Sequence, residues 1–178
     1  MTPYEQLDAW IEVHFDEQLQ FLQELVRVPT DTPPGNNAPH AERTAELLQG
    51  LGLDAEKYPV PEAEVQAAGL QSITNLLVRR HYGPGQTILL NAHGDVVPPG
   101  EGWTKEPYGG QIEDGTIYCR TAAASKGDFS TYAFAVRALD AVAKPPVRRL
   151  QLPFPYVVAL GGELGPSRFH QPPTTPPH

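Results

Sequence analysis

The chain has 178 residues, and 13 basic against 21 acidic side chains give it a formal net charge of −8. This charge argues against binding to nucleic acid or to an anionic membrane surface, because both need a basic face. No apolar run approaches the ~20 residues of a membrane-spanning helix, and the N-terminus lacks the basic and apolar regions of a signal peptide. The length fits one domain. The single cysteine excludes an internal disulfide and favours a cytoplasmic protein.

The first part of the chain is predicted to hold two helices and a strand. Apolar residues recur at helical spacing from Tyr4 to Val28, and Pro29 ends that helix. Turn-forming residues at positions 30–37 predict a loop. A second helix is predicted from Pro39 to Leu48, and a strand at Leu53–Tyr58. The inner face of the second helix is predicted to consist of Ala41, Thr44, Ala45 and Leu48.

The middle of the chain predicts paired strands. Asn75–Arg80 and Thr87–Ala92 have strand character, and Gly83-Pro84-Gly85 between them predicts a hairpin. Asp114-Gly115 is typical of a tight turn between two short strands.

The last part of the chain predicts one helix and a doubtful strand. Residues 126–143 have helical periodicity, with an inner face of Phe129, Tyr132, Ala133, Val136 and Leu139. Residues 150–160 alternate weakly, and Pro153 and Pro155 argue against a central strand there. Together the elements predict an α/β fold, a layered sheet with flanking helices. Ligands bind such sheets at the carboxyl ends of the strands.

A histidine and an aspartate stand at one such strand end. Asn91-Ala92-His93-Gly94-Asp95 closes the apolar run that begins at Thr87. A neutral imidazole can ligate a metal ion, and a nearby carboxylate can fix the orientation of its ring. His93 is therefore a candidate metal ligand, and Asp95 a candidate for the carboxylate that orients its ring. Further motif residues follow in order: Trp103, Tyr108-Gly109-Gly110, Ile112 to Tyr118, Arg120 and Lys126-Gly127-Asp128.

This order of motifs resembles the zinc-dependent metallopeptidases and deacylases. The family includes acetylornithine deacetylase, succinyl-diaminopimelate desuccinylase, carnosine dipeptidases and carboxypeptidase G. Its pattern is His-x-Asp-Val-Val-Pro, then aromatic residues, then Asp-Gly-x-Ile/Leu-Tyr-Gly-Arg-Gly-x-x-Asp-x-Lys-Gly. The resemblance runs from about Tyr4 to Pro166. It implies a partial catalytic domain of the phosphorylase/hydrolase-like type at residues 1–169, followed by a disordered proline-rich tail at residues 170–178.

The resemblance also implies which site residues are kept and which are lost. His93 takes the place of a zinc ligand, and Asp95 that of the residue that orients it and supports catalysis. In the family a second aspartate bridges two zinc ions, but this chain has Ala124 there. Cys119 and Thr121 replace the two glycines that flank the motif arginine.

The glutamate pair of the family, a general base followed by a ligand, is also altered. Gly161-Gly162-Glu163-Leu164-Gly165-Pro166 matches the family, and the preceding acidic triplet becomes Val157, Val158 and Ala159. An alternative register makes Glu163 the second glutamate and Gly162 the first. In both registers the general base is missing. The later ligands and the smaller dimerisation domain are expected to be absent, so the chain is interpreted as truncated.

By resemblance, the activity is metal-dependent hydrolysis of an amide bond in an N-acyl amino acid or short peptide. Two zinc ions are the cofactor in the intact family, and this chain is expected to bind zinc weakly or not at all and to be inactive. The alternative is a non-catalytic, degenerate fragment with no metal site. Lys126 is interpreted as a solvated lysine and Glu163 as a turn carboxylate, and Cys119 lacks a visible activating base. The other histidines, interpreted as surface residues, are His14, His40, His81, His170 and His178.

Overall fold

The computed structural model describes residues 1–142 and 149–156. Within these ranges no helix is long and apolar enough to cross a lipid bilayer. The altered triplet at 157–159, Glu163, His170, His178 and the predicted tail at 170–178 lie outside the described residues.

The first predicted helix is two helices, α1 (Pro3–Val13) and α2 (Phe15–Val26). Thr2 and Glu5 form a reciprocal capping box at the start of α1. The break falls at His14, whose ring stacks on Trp10 with centroids 3.7 Å apart. The His14 Nδ1 atom also hydrogen-bonds the Trp10 carbonyl at 2.7 Å. This side chain competes for the helical hydrogen bond, so the helix is interrupted where periodicity alone predicts continuity.

The second predicted helix and the first strand are confirmed with shifted ends. Helix α3 covers Ala38–Gly50 and buries the predicted inner face, and strand β1 covers Ala55–Pro59. A short helix, α4 (Glu62–Ala67), follows and was not predicted. Helix α5 (Gly127–Val142) buries Phe129, Ala133 and Val136, as its periodicity predicts.

The main sheet has four strands in the order β1-β2-β6-β3. Strand β2 covers Thr74–His81, β3 Thr87–Leu89 and β6 Arg149–Phe154. Strand β2 pairs antiparallel with β1 and with β6, and β3 pairs parallel with β6. The predicted hairpin between β2 and β3 is therefore wrong, because β6 lies between them. The short hairpin of β4 (Gln111–Glu113) and β5 (Thr116–Tyr118) turns at Asp114-Gly115 as predicted, with positive φ at both residues.

Strand β6 is central despite Pro153 within it and Pro155 just beyond its end, which corrects the sequence interpretation. The carbonyls of Gln151, Pro153 and Pro155 accept hydrogen bonds from the β3 side, from the backbone N–H groups of Leu90, Ala92 and Gly94. Backbone polar groups alternate along a strand. The backbone N–H group that each proline lacks would therefore face β3. The N–H groups that pair with β2 belong to the alternate residues, and all of them are present. Two prolines two residues apart are compatible with a central position when the neighbouring strand on that side is bound only through the carbonyl groups of those residues.

The core joins the sheet to α2, α3 and α5. The Phe129 ring of α5 stacks on Phe154 of β6 with centroids 3.9 Å apart. Tyr156, just beyond β6, is fully buried and lies against Gly94. A Cβ atom at position 94 would lie 2.4 Å from Cε1 of Tyr156, so this close approach requires glycine.

We predict that Gly94→Ala lowers the free energy of unfolding by about 2–3 kcal/mol, because the buried Tyr156 ring has no room to move. The matched control is Gly50→Ala at the end of α3, where a Cβ atom would meet nothing within 4 Å. Urea unfolding of both variants checks this. Equal stability of the two variants would show that Tyr156 does not press on Gly94.

Candidate metal site at the end of strand β3

The segment at residues 90–96, which carries His93, forms backbone hydrogen bonds on both of its sides. Beyond β3, the N–H groups of Leu90, Ala92 and Gly94 donate to β6 and its extension at 2.9, 3.3 and 2.8 Å. On the other side, the Val96 N–H donates to the Thr30 carbonyl at 3.1 Å, and the Thr32 N–H to the Val96 carbonyl at 2.7 Å. The Thr30 hydroxyl also donates to the Gly94 carbonyl at 2.6 Å. His93 and Asp95 therefore stand on rigid backbone at the carboxyl end of β3, as predicted.

The structure brings His93 and Asp95 together with a defined tautomer. Nδ1 of His93 lies 2.9 Å from the backbone carbonyl of Asp95 and 3.5 Å from its Oδ1 atom. A carbonyl only accepts, so Nδ1 carries the proton and Nε2 keeps its lone pair in the neutral ring. The Asp95 side chain is fully buried, and that of His93 is 29% exposed. This is the arrangement of a histidine prepared to ligate through Nε2.

The charge around His93 is negative. Hydrogen bonding to Asp95 raises the pKa of His93 above its usual value, burial opposes this, and the charge of Asp128 adds to the increase. Asp128 lies in the first turn of α5 and accepts a hydrogen bond of 3.1 Å from the Ser125 hydroxyl. Asp128 stands in the sequence motif Lys126-Gly127-Asp128, but the motif alone predicts no role for it. An acidic residue in the first turn of a helix was the available signal.

Ala124 occupies an irregular turn, Ala122–Lys126, in front of α5. Its backbone is extended, with φ −143° and ψ 117°, so the turn is not a continuous helix. A Cβ atom on Gly127 would lie 2.2 Å from the Ala122 carbonyl oxygen, so the turn needs glycine at its end. The methyl group of Ala124 offers no metal ligand.

Thr121 enters this turn with φ 76°, a left-handed conformation that a β-branched residue rarely adopts. Its hydroxyl is buried and has no hydrogen-bond partner within the described part of the chain. The neighbouring Cys119 is half-buried, and burial raises the pKa of its thiol. A raised pKa disfavours the thiolate, so Cys119 is not activated as a nucleophile.

Lys126 is not the solvated lysine that the sequence predicts, because its side chain is fully buried. Its Nζ atom donates to the Val28 carbonyl at 3.2 Å. Burial lowers the pKa of Lys126 from its usual 10.5 to about 7, and the charges of Cys119 and Asp31 oppose this only in part. Asp31 in turn accepts a hydrogen bond from the Tyr108 hydroxyl. Burial, followed by this bond, raises the pKa of Tyr108.

His40 is likewise buried and not at the surface as predicted. Its Nε2 atom donates to the Leu25 carbonyl at 2.9 Å, so its Nδ1 atom accepts from the Tyr156 hydroxyl at 2.7 Å. Burial, helped by the charge of Lys126, holds the pKa of His40 well below its usual value. His40 therefore stays neutral and serves packing. His14 is half-buried against Trp10, and His81 is exposed as predicted.

The described part of the chain does not supply a complete metal centre. Among residues 1–142 and 149–156, no three histidine, cysteine, aspartate or glutamate side chains are placed to hold one ion together. Three or four protein ligands are the norm for zinc. The pair of His93 and Asp95 supplies one imidazole ligand and one buried carboxylate.

The chain is similar to known hydrolases along most of its length. Residues 89–154 match the model of peptidase family M20/M25/M40. The chain is 31% identical over 153 residues to the succinyl-diaminopimelate desuccinylase of Rhodospirillum centenum, covering 85% of the chain and 36% of that relative. It is 32% identical over 158 residues to that of Gluconobacter oxydans, covering 86% and 36%. It therefore spans about a third of the length of these curated relatives.

Solved structures show the same fold. Human carnosine dipeptidase 1 superposes with a TM-score of 0.66 at 25% identity, covering 86% of this chain and 34% of that one. A di-peptidase from Saccharomyces cerevisiae superposes with a TM-score of 0.75 at 19% identity, covering 90% and 36%. The sheet with flanking helices is therefore similar to that of M20 catalytic domains.

We predict that Thr121→Gly raises the free energy of unfolding by about 1–2 kcal/mol, since it relieves a left-handed β-branched residue and removes a buried hydroxyl without a partner. Thr116→Gly, in the extended strand β5, is the control and should destabilise the protein by up to about 1 kcal/mol. Chemical denaturation compares the two. A loss of stability in both variants would contradict the strain at Thr121.

We predict that Lys126→Met removes a pH dependence of stability. Between pH 7 and 10.5, the folded lysine is largely neutral while the unfolded lysine is protonated. The unfolded state therefore binds more protons, and stability rises with pH, by at most ~1.4 kcal/mol per pH unit. Below pH 7 the cost of burying the charge is fully present, so the variant is the more stable protein there.

Thermal unfolding of the wild type, Lys126→Met and the exposed control Lys57→Met from pH 6 to 10 measures this difference. The wild type should approach the stability of Lys126→Met as pH rises, while Lys57→Met should follow the wild type. A constant difference between the wild type and Lys126→Met across this range would mean that Lys126 stays charged in the folded protein.

Proposed function

The chain belongs to peptidase family M20/M25/M40, and we propose that it derives from a zinc-dependent hydrolase of N-acyl amino acids or short peptides. We also propose that this 178-residue chain has lost the hydrolase activity. The substrate class is supported by the similar desuccinylases and by carnosine dipeptidase 1. The proposal on inactivity is supported by Ala124, which stands at the bridging aspartate of the family pattern. A location in the cytoplasm, supported by the single cysteine, is part of the same proposal.

The retained pair has a clear role in this proposal. His93 would ligate one zinc ion through Nε2, because Nδ1 is engaged with the Asp95 carbonyl. Asp95 would hold the imidazole ring in that orientation from its fully buried position. Zinc, when bound, supplies a Lewis acid and an activated water. The described residues contribute one imidazole and one buried carboxylate to this site, which is too few to hold two zinc ions.

The alternative is a non-catalytic chain with no metal site at all. It is favoured by the lack of a group of three ligands within the described residues. The ordered tautomer of His93 favours a weak residual site instead. Binding of zinc at His93, measured apart from catalysis, separates the two.

We predict no chelator-sensitive hydrolysis of N-succinyl or N-acetyl amino acids, or of dipeptides, by the 178-residue chain supplied with zinc. The physical reason is the loss of a metal bridge, since removal of a group that acts in the transition state commonly costs orders of magnitude in rate. Release of free amine is the readout. Turnover above background that is abolished by a chelator would overturn the inactivity.

The variant Ala124→Asp, assayed in the same way, tests whether the missing carboxylate alone accounts for the inactivity. It should raise the zinc-dependent increase in melting temperature slightly, because it adds a carboxylate at the position of the bridging ligand, and it should not restore hydrolysis. Ala123→Asp, its exposed neighbour, adds the same charge without that position and is the control. Robust hydrolysis by Ala124→Asp would mean that the remaining site is complete and that the general base has been misassigned.

A further inference from the structure

Thr30 contacts two consecutive peptide units of the segment that carries His93 and Asp95. Its hydroxyl donates to the Gly94 carbonyl at 2.6 Å, and its own carbonyl accepts from the Val96 N–H at 3.1 Å. Thr30 is 1% exposed, so both hydrogen bonds lie away from bulk water and are strengthened by their surroundings. Asp95 lies between the two peptide units that Thr30 holds.

These two hydrogen bonds restrict both backbone dihedral angles of Asp95. Because a peptide unit is planar, the φ and ψ angles of a residue are set by the orientations of the units on its two sides. The Gly94 carbonyl belongs to the unit before Asp95, and the Val96 N–H belongs to the unit after it. One residue holds both units, so their rotation relative to each other is restricted. The direction of the Asp95 side chain is thereby fixed as well.

The same arrangement directs the Asp95 carbonyl toward the ring of His93. In a trans peptide unit the C=O and N–H groups point in opposite directions. The Val96 N–H points to Thr30, so the Asp95 carbonyl on the same unit points away from Thr30 and lies 2.9 Å from Nδ1 of His93. The Oδ1 atom of Asp95 lies 3.5 Å from the same nitrogen. Both oxygens that favour a proton on Nδ1 therefore depend on the backbone conformation of Asp95.

We propose that Thr30 is a positioning residue of the candidate metal site, whose hydroxyl keeps the ring proton of His93 on Nδ1 and leaves the lone pair of Nε2 free. This role rests on the proposed function, because a free Nε2 matters to a residue that ligates a metal ion. The contact with Val96 uses a backbone carbonyl, which any residue would supply. The contact with Gly94 needs a hydroxyl, and the β-branched threonine side chain holds that hydroxyl in few rotamers.

The nitrogen resonances of the His93 ring report this tautomer directly in the full chain labelled with ¹⁵N. They are recorded without metal, at a pH well above the pKa of histidine, and are assigned by their absence in His93→Ala. We expect the wild type to show the form with the proton on Nδ1. Thr30→Val keeps the shape of the side chain and removes the hydroxyl. Its His93 ring should shift toward the form with the proton on Nε2, which free histidine favours in water.

Two further variants separate positioning from a general loss of stability. Thr30→Ser retains the hydroxyl and should keep the wild-type tautomer. Ser130→Ala removes an equally buried hydroxyl, which donates to the Gln18 carbonyl at 3.3 Å, and should leave the His93 ring unchanged. A Thr30→Val ring that keeps its proton on Nδ1, a Thr30→Ser ring that loses it, or the same shift in Ser130→Ala would each overturn the proposal.

The wild type supplies a test that does not depend on whether Thr30→Val folds. Its Thr30 hydroxyl proton should exchange with water slowly enough to be observed, and a His93 ring protonated on Nε2 or a rapidly exchanging Thr30 hydroxyl would overturn the proposal. Zn²⁺ added to the wild type then separates this role from the proposed function. Ring resonances that do not respond to Zn²⁺ would contradict the metal site alone, because the tautomer is measured without metal.

Discussion

The packing of Tyr156 fixes the position of everything around the candidate site. Its ring presses on Gly94, its hydroxyl donates to His40 on α3, and its backbone carbonyl accepts from the Asn37 side chain. Its backbone N–H donates to the Asn75 side chain on β2. One fully buried residue thus joins a strand, a helix and a loop directly beneath the segment that carries His93 and Asp95. Changes in this packing would move the site without touching its ligands.

Packing also explains why the periodicity of apolar residues predicts some elements of the fold and not others. Helices α3 and α5 bury one apolar face each, so their spacing of apolar residues predicts them well. Strand β6 is different because Pro153 and Pro155 remove donors from one side only, and propensity cannot tell which side a neighbour needs. His40 was assigned to the surface because a single histidine carries no signal of its partners. Only the fold brings Leu25 and Tyr156 to its two ring nitrogens.

Some residues of the candidate site can likewise be predicted from the sequence, and others cannot. The motif predicted where His93 and Asp95 lie, because the end of a buried strand is a position that local sequence defines. The burial of Lys126 depends on Val28, almost a hundred residues earlier in the chain, and no local pattern reports such a contact. The sequence indicates the backbone strain at Thr121 only through the glycine that the family pattern has at this position. The described residues thus keep the scaffold of an M20 catalytic domain around an incomplete set of ligands.

Titration calorimetry with Zn²⁺ on the wild type and on His93→Ala tests this account most directly. His93 with a single buried carboxylate should give weak binding without a defined stoichiometry, and His93→Ala should abolish what binding there is. One tight stoichiometric site in the wild type that disappears in His93→Ala would show that the chain assembles a complete metal centre, and would contradict the account.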